Sequence, residues 1–357
     1  MRVLMLPRYD SQGASSRLRM LQYVPSLQAD GIDVDVSPLL DDGYVGDLYA
    51  GKISVLKVVR AYYRRFRVLL LAGRYDVLWI EKELFPWLPS WLELRLLPGR
   101  VAVVVDYDDA VFHRYDQHRS RIVRAVLGNK ISAVMRIADV VTAGNDYLSR
   151  HAAGAGAKSV KWLPTVVDLE RYDFGEIESR PEVLTIGWIG SPSTASYLHP
   201  LTHVLREVGL QCSIKCVAIG ARPDQVQGTP FQAVPWSESR EVEMLKGFDI
   251  GIMPLPDEPW ERGKCGYKLI QYMACGVPVI ASAVGVNVDI VQSGENGELA
   301  STQEEWKSAL MGLVSDSQLR RRMGQAGRRR VETIYSLQAQ ASRLIGMLRT
   351  ASSRNGG

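Results

Sequence analysis

Short apolar runs alternate with amphipathic stretches along most of this chain. Val3, Leu4, Met5 and Leu6 predict a strand, and residues 15–29 place Leu18, Leu21, Val24 and Leu27 on one helical face. Gly31 closes that helix, and residues 32–36 predict the next strand. The continuous apolar runs at 77–80 and 101–105 read as strands covered on both faces, as in a parallel sheet. Residues 122–137 read as a helix and 140–143 as a short strand. The alternation then restarts. Strands are predicted at 184–189, 213–219, 250–253 and 277–281, with helices at 199–208, 237–246 and 267–274 between them, then helices at 306–314 and 336–348. Such a series predicts an α/β fold with two doubly wound sheets.

Residues 164–181 break the pattern, carrying Asp168, Glu170, Asp173, Glu176 and Glu178 between prolines. They predict a linker. The expected organisation is an N-terminal domain over 1–165, a linker over 166–181 and a second domain over 182–335. A C-terminal helix over 336–357 is expected to pack back on the first domain and end in a disordered tail from 352. A length of 357 residues exceeds one ordinary core and agrees with two domains. Two such domains turn strand ends and loops toward a cleft. The net charge of +4 is too small to point to nucleic acid. Cys212, Cys216, Cys265 and Cys275 form no framework of pairs, which predicts reduced thiols and a cytoplasmic setting. No apolar run reaches the ~18 residues of a membrane span, and residues 1–6 are too short for a signal-peptide core.

Candidate chemistry starts with Lys264 and Lys268, which bracket the start of the helix at 267–274 beside Gly263 and Gly266. A lysine there opposes the helix dipole by roughly 0.3–1 kcal/mol unless an anion docks. Lys264 and Lys268, with the amides of Cys265 and Gly266, are therefore expected to bind phosphate; solvated surface lysines are the competing reading. Ser191, Ser193 and Thr194 follow a predicted strand and either cap the next helix or bind phosphate. Trp236 lines a base pocket or fills a core. Asp106, Asp108 and Asp109 stand at the carboxyl end of a buried strand, where clustered acids raise one another's pKa. Asp108 and Asp109 are expected to orient an acceptor hydroxyl, Asp106 less so, with helix capping as the alternative; His113 follows closely. Arg17 and Arg19, after the first loop, grip phosphate on donor or acceptor or else begin a solvated helix. Arg320–Arg322 and Arg328–Arg330 read as solvated helix faces.

Three segments together carry a resemblance: Phe248-Asp249-Ile250-Gly251-Ile252-Met253-Pro254-Leu255, then Lys268 through Ser282 with Ala274-Cys275-Gly276-Val277-Pro278-Val279, then Gly294-Glu295-Asn296-Gly297. Gly187-Trp188-Ile189-Gly190-Ser191 and, more weakly, Gly13-Ala14-Ser15-Ser16-Arg17 extend it. The chain resembles GT-B glycosyltransferases of family 4, the glycosyl transferases group 1. The resemblance implies a GT-B fold of two Rossmann-like domains facing a cleft. It also implies sugar transfer from a nucleotide-sugar donor with retention at the anomeric carbon, and no required metal or cofactor. In that family a histidine or aspartate often stands near the reacting centre, at the place of Asp108 and Asp109. The family's two glutamates, eight positions apart, are replaced here by Gly263 and Gln271. A subgroup lacks the first and keeps a lysine three residues before the second, as Lys268 does. Gln271, one turn beyond Lys268, then hydrogen-bonds a ribose hydroxyl or is a buried structural amide. Loss of the glutamates also fits a non-catalytic partner subunit; a GT-B sugar-nucleotide epimerase is a third reading.

Residues 57–74 carry Lys57, Arg60, Arg64, Arg65, Arg67 and Arg74 with no acid, interleaved with Tyr62, Tyr63 and Phe66. Arg119, Arg121, Arg124, Lys130 and Arg136 add to them, as do Phe85, Trp87 and Trp91. Basic residues with aromatics predict contact with an anionic membrane surface, against an ordinary basic helix face. The expectation is a cytoplasmic protein, peripheral on the membrane, with a glycan or lipid-linked acceptor in cell-envelope polysaccharide or glycolipid synthesis.

Overall fold

The computed structural model describes every residue except 50, 51, 53, 173–182, 356 and 357, so residues 173–181 of the predicted linker lie outside the described residues. The chain forms two compact units. The first comprises Met1–Thr165, Gly263–Cys265 and Ala339–Gly357, and the second Val166–Arg262 and Gly266–Gln338.

In the first unit the strands are β1 (Arg2–Leu6), β2 (Asp33–Val36), β3 (Val77–Glu81), β4 (Ala102–Tyr107), β5 (Val140–Ala143) and β6 (Val160–Trp162). They form one parallel sheet in the order β2-β1-β3-β4-β5-β6. Strands β3, β4 and β5 are buried along their whole length, as their near-continuous Val, Leu and Ile content requires. In the second unit they are β7 (Leu184–Ile189), β8 (Ile214–Ile219), β9 (Phe231–Val234), β10 (Ile250–Met253), β11 (Val279–Ser282) and β12 (Gly297–Ala300). These are also parallel, in the order β12-β11-β10-β7-β8-β9. The edge strands β6, β9 and β12 did not announce themselves in the apolar pattern. Val-Lys-Trp, Phe-Gln-Ala-Val and Gly-Glu-Leu-Ala mix polar residues into short segments that are half-exposed.

In each sheet the strand order reverses once, between β1 and β3 and between β7 and β10. Loops at the carboxyl ends of strands beside such a reversal are where doubly wound folds bind ligands. Both predicted N-terminal helices are interrupted. The helix expected over 15–29 is Ala14–Arg19, a 3-10 turn Leu21–Tyr23 and Val24–Ala29, broken at Met20 (φ −129°) ahead of Pro25. The one expected over 122–137 is Arg121–Leu127 and Lys130–Ile137, parted at Gly128-Asn129, both poor helix formers. The last helix runs Leu337–Asn355. It passes the expected start of the tail at 352 because Leu344, Leu348 and Ala351 continue one buried face.

Candidate functional site

In the first unit, the carboxyl ends of β1, β3 and β4 bring together residues far apart in sequence. Lys82, just after β3, is buried and adopts a left-handed backbone (φ 64°). A non-glycine residue there costs of order 1–3 kcal/mol and persists only where its surroundings fix it. Its N–H donates to Asp106 O at 3.0 Å, and its carbonyl accepts from Tyr107 OH at 2.8 Å. Its Nζ lies 2.8 Å from Asp108 Oδ1, 3.8 Å from Asp109 Oδ2 and 3.7 Å from Glu81 Oε1, and donates to Ser15 Oγ at 3.0 Å. Ser15 Oγ in turn sits 2.6 Å from Asp108 Oδ2, while Ser16 Oγ donates to Glu81 Oε2 at 2.5 Å.

These contacts separate the two aspartates. For Asp108, burial works to raise the pKa, but Lys82 and Arg19 together with hydrogen bonds from Lys82 and Ser15 hold it below the usual carboxylate value. For Asp109, burial and the neighbouring Asp108 push the carboxyl up to about 6, against the pull of Lys82 and Lys264. Burial would lower the Lys82 ammonium, but Asp108, Asp109 and Glu81 hold it above its ordinary value. The site therefore holds one carboxylate kept ionised and one pushed up to about 6, the latter with a third of its side chain exposed.

Asp106 and Arg19 are drawn elsewhere. Arg19 is buried and pairs with Asp106 through Nη2 (2.6 Å) and Nε (2.9 Å), and it donates to Leu163 O at 2.8 Å. Thr142 Oγ1 completes Asp106 at 2.6 Å. This is a buried structural ion pair, not a solvated helix start. Arg17 donates to Ser11 O at 3.0 Å. His113 bridges Tyr147 OH (2.7 Å) and Asp116 (3.0 Å). Gly263, Lys264 and Cys265 also belong to this unit: Asn145 Nδ2 donates to Gly263 O (2.9 Å) and Lys264 O (2.8 Å), and Cys265 Sγ donates to Asp108 O at 3.0 Å. Burial raises the Cys265 thiol well above its usual value, so it stays protonated. A Cβ on Gly144 would lie 2.2 Å from that sulfur, which fixes glycine there.

In the second unit, Gly266 (φ 65°) caps helix Tyr267–Ala274. Lys268 Nζ stands 4.5 Å over the buried Trp188 ring and 3.5 Å from Thr194 Oγ1. Thr194 Oγ1 donates to Ser191 O at 3.1 Å, and Ser191 and Ser193 hydroxyls are 2.8 Å apart. The loop after β7 thus lies against Lys268 at the strand-order reversal. No side chain fits at Gly190, where a Cβ would fall 2.4 Å from the Trp188 ring and 2.8 Å from Lys268 Nζ. Gln271 is buried, and its Nε2 donates to Tyr172 OH at 2.9 Å. Tyr172 OH donates to Glu241 Oε1 at 3.1 Å, and the half-exposed Trp236 donates Nε1 to Glu241 Oε2 at 2.7 Å. So Gln271 and Trp236 end one buried polar chain through Tyr172 and Glu241.

The structure thus brings Lys268 together with Ser191 and Thr194, and Asp108 with Asp109 and Lys264. Lys264 and Lys268 fall in different units. Ser15, Glu81, Lys82 and Glu241 join these clusters without having stood out as site residues in the sequence. The three consecutive charges Glu81-Lys82-Glu83 at the carboxyl end of a buried strand were the available signal for the first site. Three basic residues expected at the surface are interior. Lys130 is buried between Glu83 (2.8 Å) and Glu93 (3.5 Å). Arg65 is buried with Nη2 on Pro7 O (2.8 Å) and Ser37 O (3.0 Å), and burial pushes its pKa down to about 9. Arg328 is buried with Nη1 on Ala274 O at 2.6 Å.

Residues 233–330 match the family described as Glycosyl transferases group 1. Over 84 residues, 23% of this chain, the sequence is 34% identical to a D-inositol 3-phosphate glycosyltransferase of Rhodococcus jostii (strain RHA1), covering 18% of that protein. The chain spans less than a quarter of the length of the curated relatives it matches. Its fold is similar to that of a sucrose-phosphate synthase from Thermosynechococcus elongatus, with a TM-score of 0.74 and 15% identity over 99% of this chain and 100% of the other. It is also similar to Anabaena HepE in complex with UDP-glucose, with a TM-score of 0.69 and 15% identity over 98% and 100%.

Proposed function

We propose, from the premise that this chain belongs through residues 233–330 to the group 1 glycosyl transferases and has the GT-B fold, that it moves a sugar from a nucleotide-sugar donor to a glycan or lipid-linked acceptor with retention of anomeric configuration. Leaving of the nucleoside diphosphate builds negative charge, which cations and N–H dipoles must neutralise. Lys268, poised over Trp188 and against the Ser191–Thr194 loop at the strand-order reversal, carries this reading. Lys268 holds the donor diphosphate, with Ser191, Thr194 and the Gly266 amide. Within the first unit, Lys264 and the Cys265 amide are further phosphate-binding candidates. Trp236 borders the base, and Gln271 fixes the ribose side through its chain to Glu241. Asp109 receives the acceptor hydroxyl, with Asp108 as its fixed neighbour, and Arg17 meets acceptor phosphate. The acceptor belongs to a cell-envelope glycan or glycolipid pathway on the cytoplasmic face of a membrane.

The glutamate positions occupied by Gly263 and Gln271, with Gln271 buried on Tyr172, favour a second reading, a non-catalytic partner that binds nucleotide without turnover. The test is release of nucleoside diphosphate from a panel of UDP-, GDP- and ADP-sugars in the presence of a lipid-linked glycan extract. The expected result is release with one donor class, a product of unchanged anomeric configuration by NMR, and about a hundredfold loss in Lys268→Ala. Binding without release supports the partner reading, and donor isomerised without acceptor supports an epimerase.

A further inference from the structure

Helix Val55–Leu70 presents Val55, Leu56, Val59, Tyr63, Phe66 and Leu70 to solvent, each between 39% and 71% exposed. At about 100° per residue these six fall within one sector roughly 100° wide. Its opposite side, with Ala61, Arg65 and Leu69, is buried in the unit. The exposed arginines Arg60 and Arg67 directly border the apolar sector, and the helix itself carries no carboxylate. A soluble helix ordinarily turns its apolar stripe inward; this one has an inward face and a second, outward apolar stripe.

The stripe continues onto neighbouring elements. Tyr62 OH donates to Pro86 O, and its ring lies 5.4 Å from that of Phe85. Beyond it Trp87 and Trp91 are 48% and 58% exposed. Trp87 is held in a left-handed backbone (φ 66°) with its N–H on Tyr115 OH at 3.1 Å. Its ring lies 5.7 Å from His118, which leads to helix Arg121–Leu127 with Ile122 76% and Val126 57% exposed, beside exposed Arg119 and Arg121. Among the described residues beside this surface, Asp47 pairs with Lys57, and Asp116 hydrogen-bonds His113. Large apolar and aromatic groups rimmed by arginines match a surface that is apolar within and anionic at its boundary.

We propose that this face of the first unit seats on an anionic lipid surface, with the Val55–Leu70 stripe at the headgroup–acyl boundary and Arg60, Arg67, Arg119 and Arg121 on lipid phosphates. The proposal rests on the membrane-side acceptor described above and names the contact. The test is co-sedimentation of the full chain with phosphatidylcholine vesicles, with and without about 30% phosphatidylglycerol, for the parent, Val59→Asp/Phe66→Asp and Arg60→Glu/Arg67→Glu. The altered side chains are exposed, and circular dichroism and the melting temperature confirm folding. The parent is expected to sediment with anionic vesicles and not with neutral ones. The arginine variant is expected to partition less by about fivefold or more per arginine, and the apolar variant to remain in the supernatant. A parent that stays in solution with anionic vesicles overturns the proposal, as does an apolar variant that binds like the parent. Concentration-dependent dimerisation of the parent, abolished in the apolar variant without any vesicle binding, also overturns it and gives the stripe to a second copy. Nucleotide binding measured on the same variants is expected to be unchanged, so a failed membrane contact is distinguishable from a failed donor site.

Discussion

Lys82 decides how the carboxylates of the first unit behave. It sits 2.8 Å from Asp108 and 3.8 Å from Asp109, so it fixes one and only tempers the other. An acceptor hydroxyl needs an ionised partner, and Asp109 ionises near pH 6. Transfer rate is therefore expected to rise as pH increases through about 6. Because Lys82 lowers the Asp109 pKa, Lys82→Met moves that limb to higher pH, and Asp109→Asn removes it together with most of the rate. A pH–rate profile that is unmoved in Lys82→Met contradicts this assignment. Asp109 also has a stability consequence of definite sign. Its folded-state pKa lies above its unfolded value, so its contribution favours the fold at low pH and is lost as pH rises through the folded value. Asp109→Asn thus stabilises the protein slightly at pH 8, by no more than about 1 kcal/mol because solvent screens a side chain one-third exposed.

At the scale of elements, the loops after β7 and β8 are held by close backbone approach. Gly220, after β8, has φ 84°, and a Cβ there would lie 2.2 Å from Gly190 O. Gly228 has φ 80° with open space around it. Gly228→Ala is expected to cost about 1 kcal/mol from backbone conformation alone. Gly220→Ala is expected to cost clearly more, about 2–4 kcal/mol, because backbone must also move; urea denaturation of both variants makes the comparison, and equal losses contradict it. The elements themselves differ in how well the chain announced them. Val77–Glu81 and Ala102–Tyr107 are buried from end to end, so their apolar runs are unbroken and legible. Val160–Trp162 and Gly297–Ala300 lie on edges, where one side needs no apolar cover, and their mixed residues hid them. The break at Met20 and the Gly128-Asn129 joint each interrupt a helical period that reads as continuous, since periodicity reports the buried face and not the hydrogen bonds along it.

Across the molecule, the repeated strand–helix alternation made two doubly wound sheets legible, and the 248–299 segments made the resemblance to the group 1 glycosyl transferases legible. The charged cluster was only half legible. Asp108 and Asp109 stand at the end of an obvious strand, but their partners Ser15 and Lys82 arrive from β1 and β3, and only the strand order brings them together. Residue type likewise misled where burial decided the role: Arg19, Arg65 and Lys130 look like surface cations in the sequence and are interior ion-pair or carbonyl partners in the fold. The proposed function stands on binding of a nucleoside diphosphate by the second unit through Lys268, which calorimetric titration of the full chain with UDP, GDP and ADP checks. One of the three is expected to bind, and Lys268→Met to weaken it at least tenfold, as loss of a charge-assisted phosphate contact implies. Binding of none of them, or equal binding by a folded Lys268→Met variant, contradicts the claim.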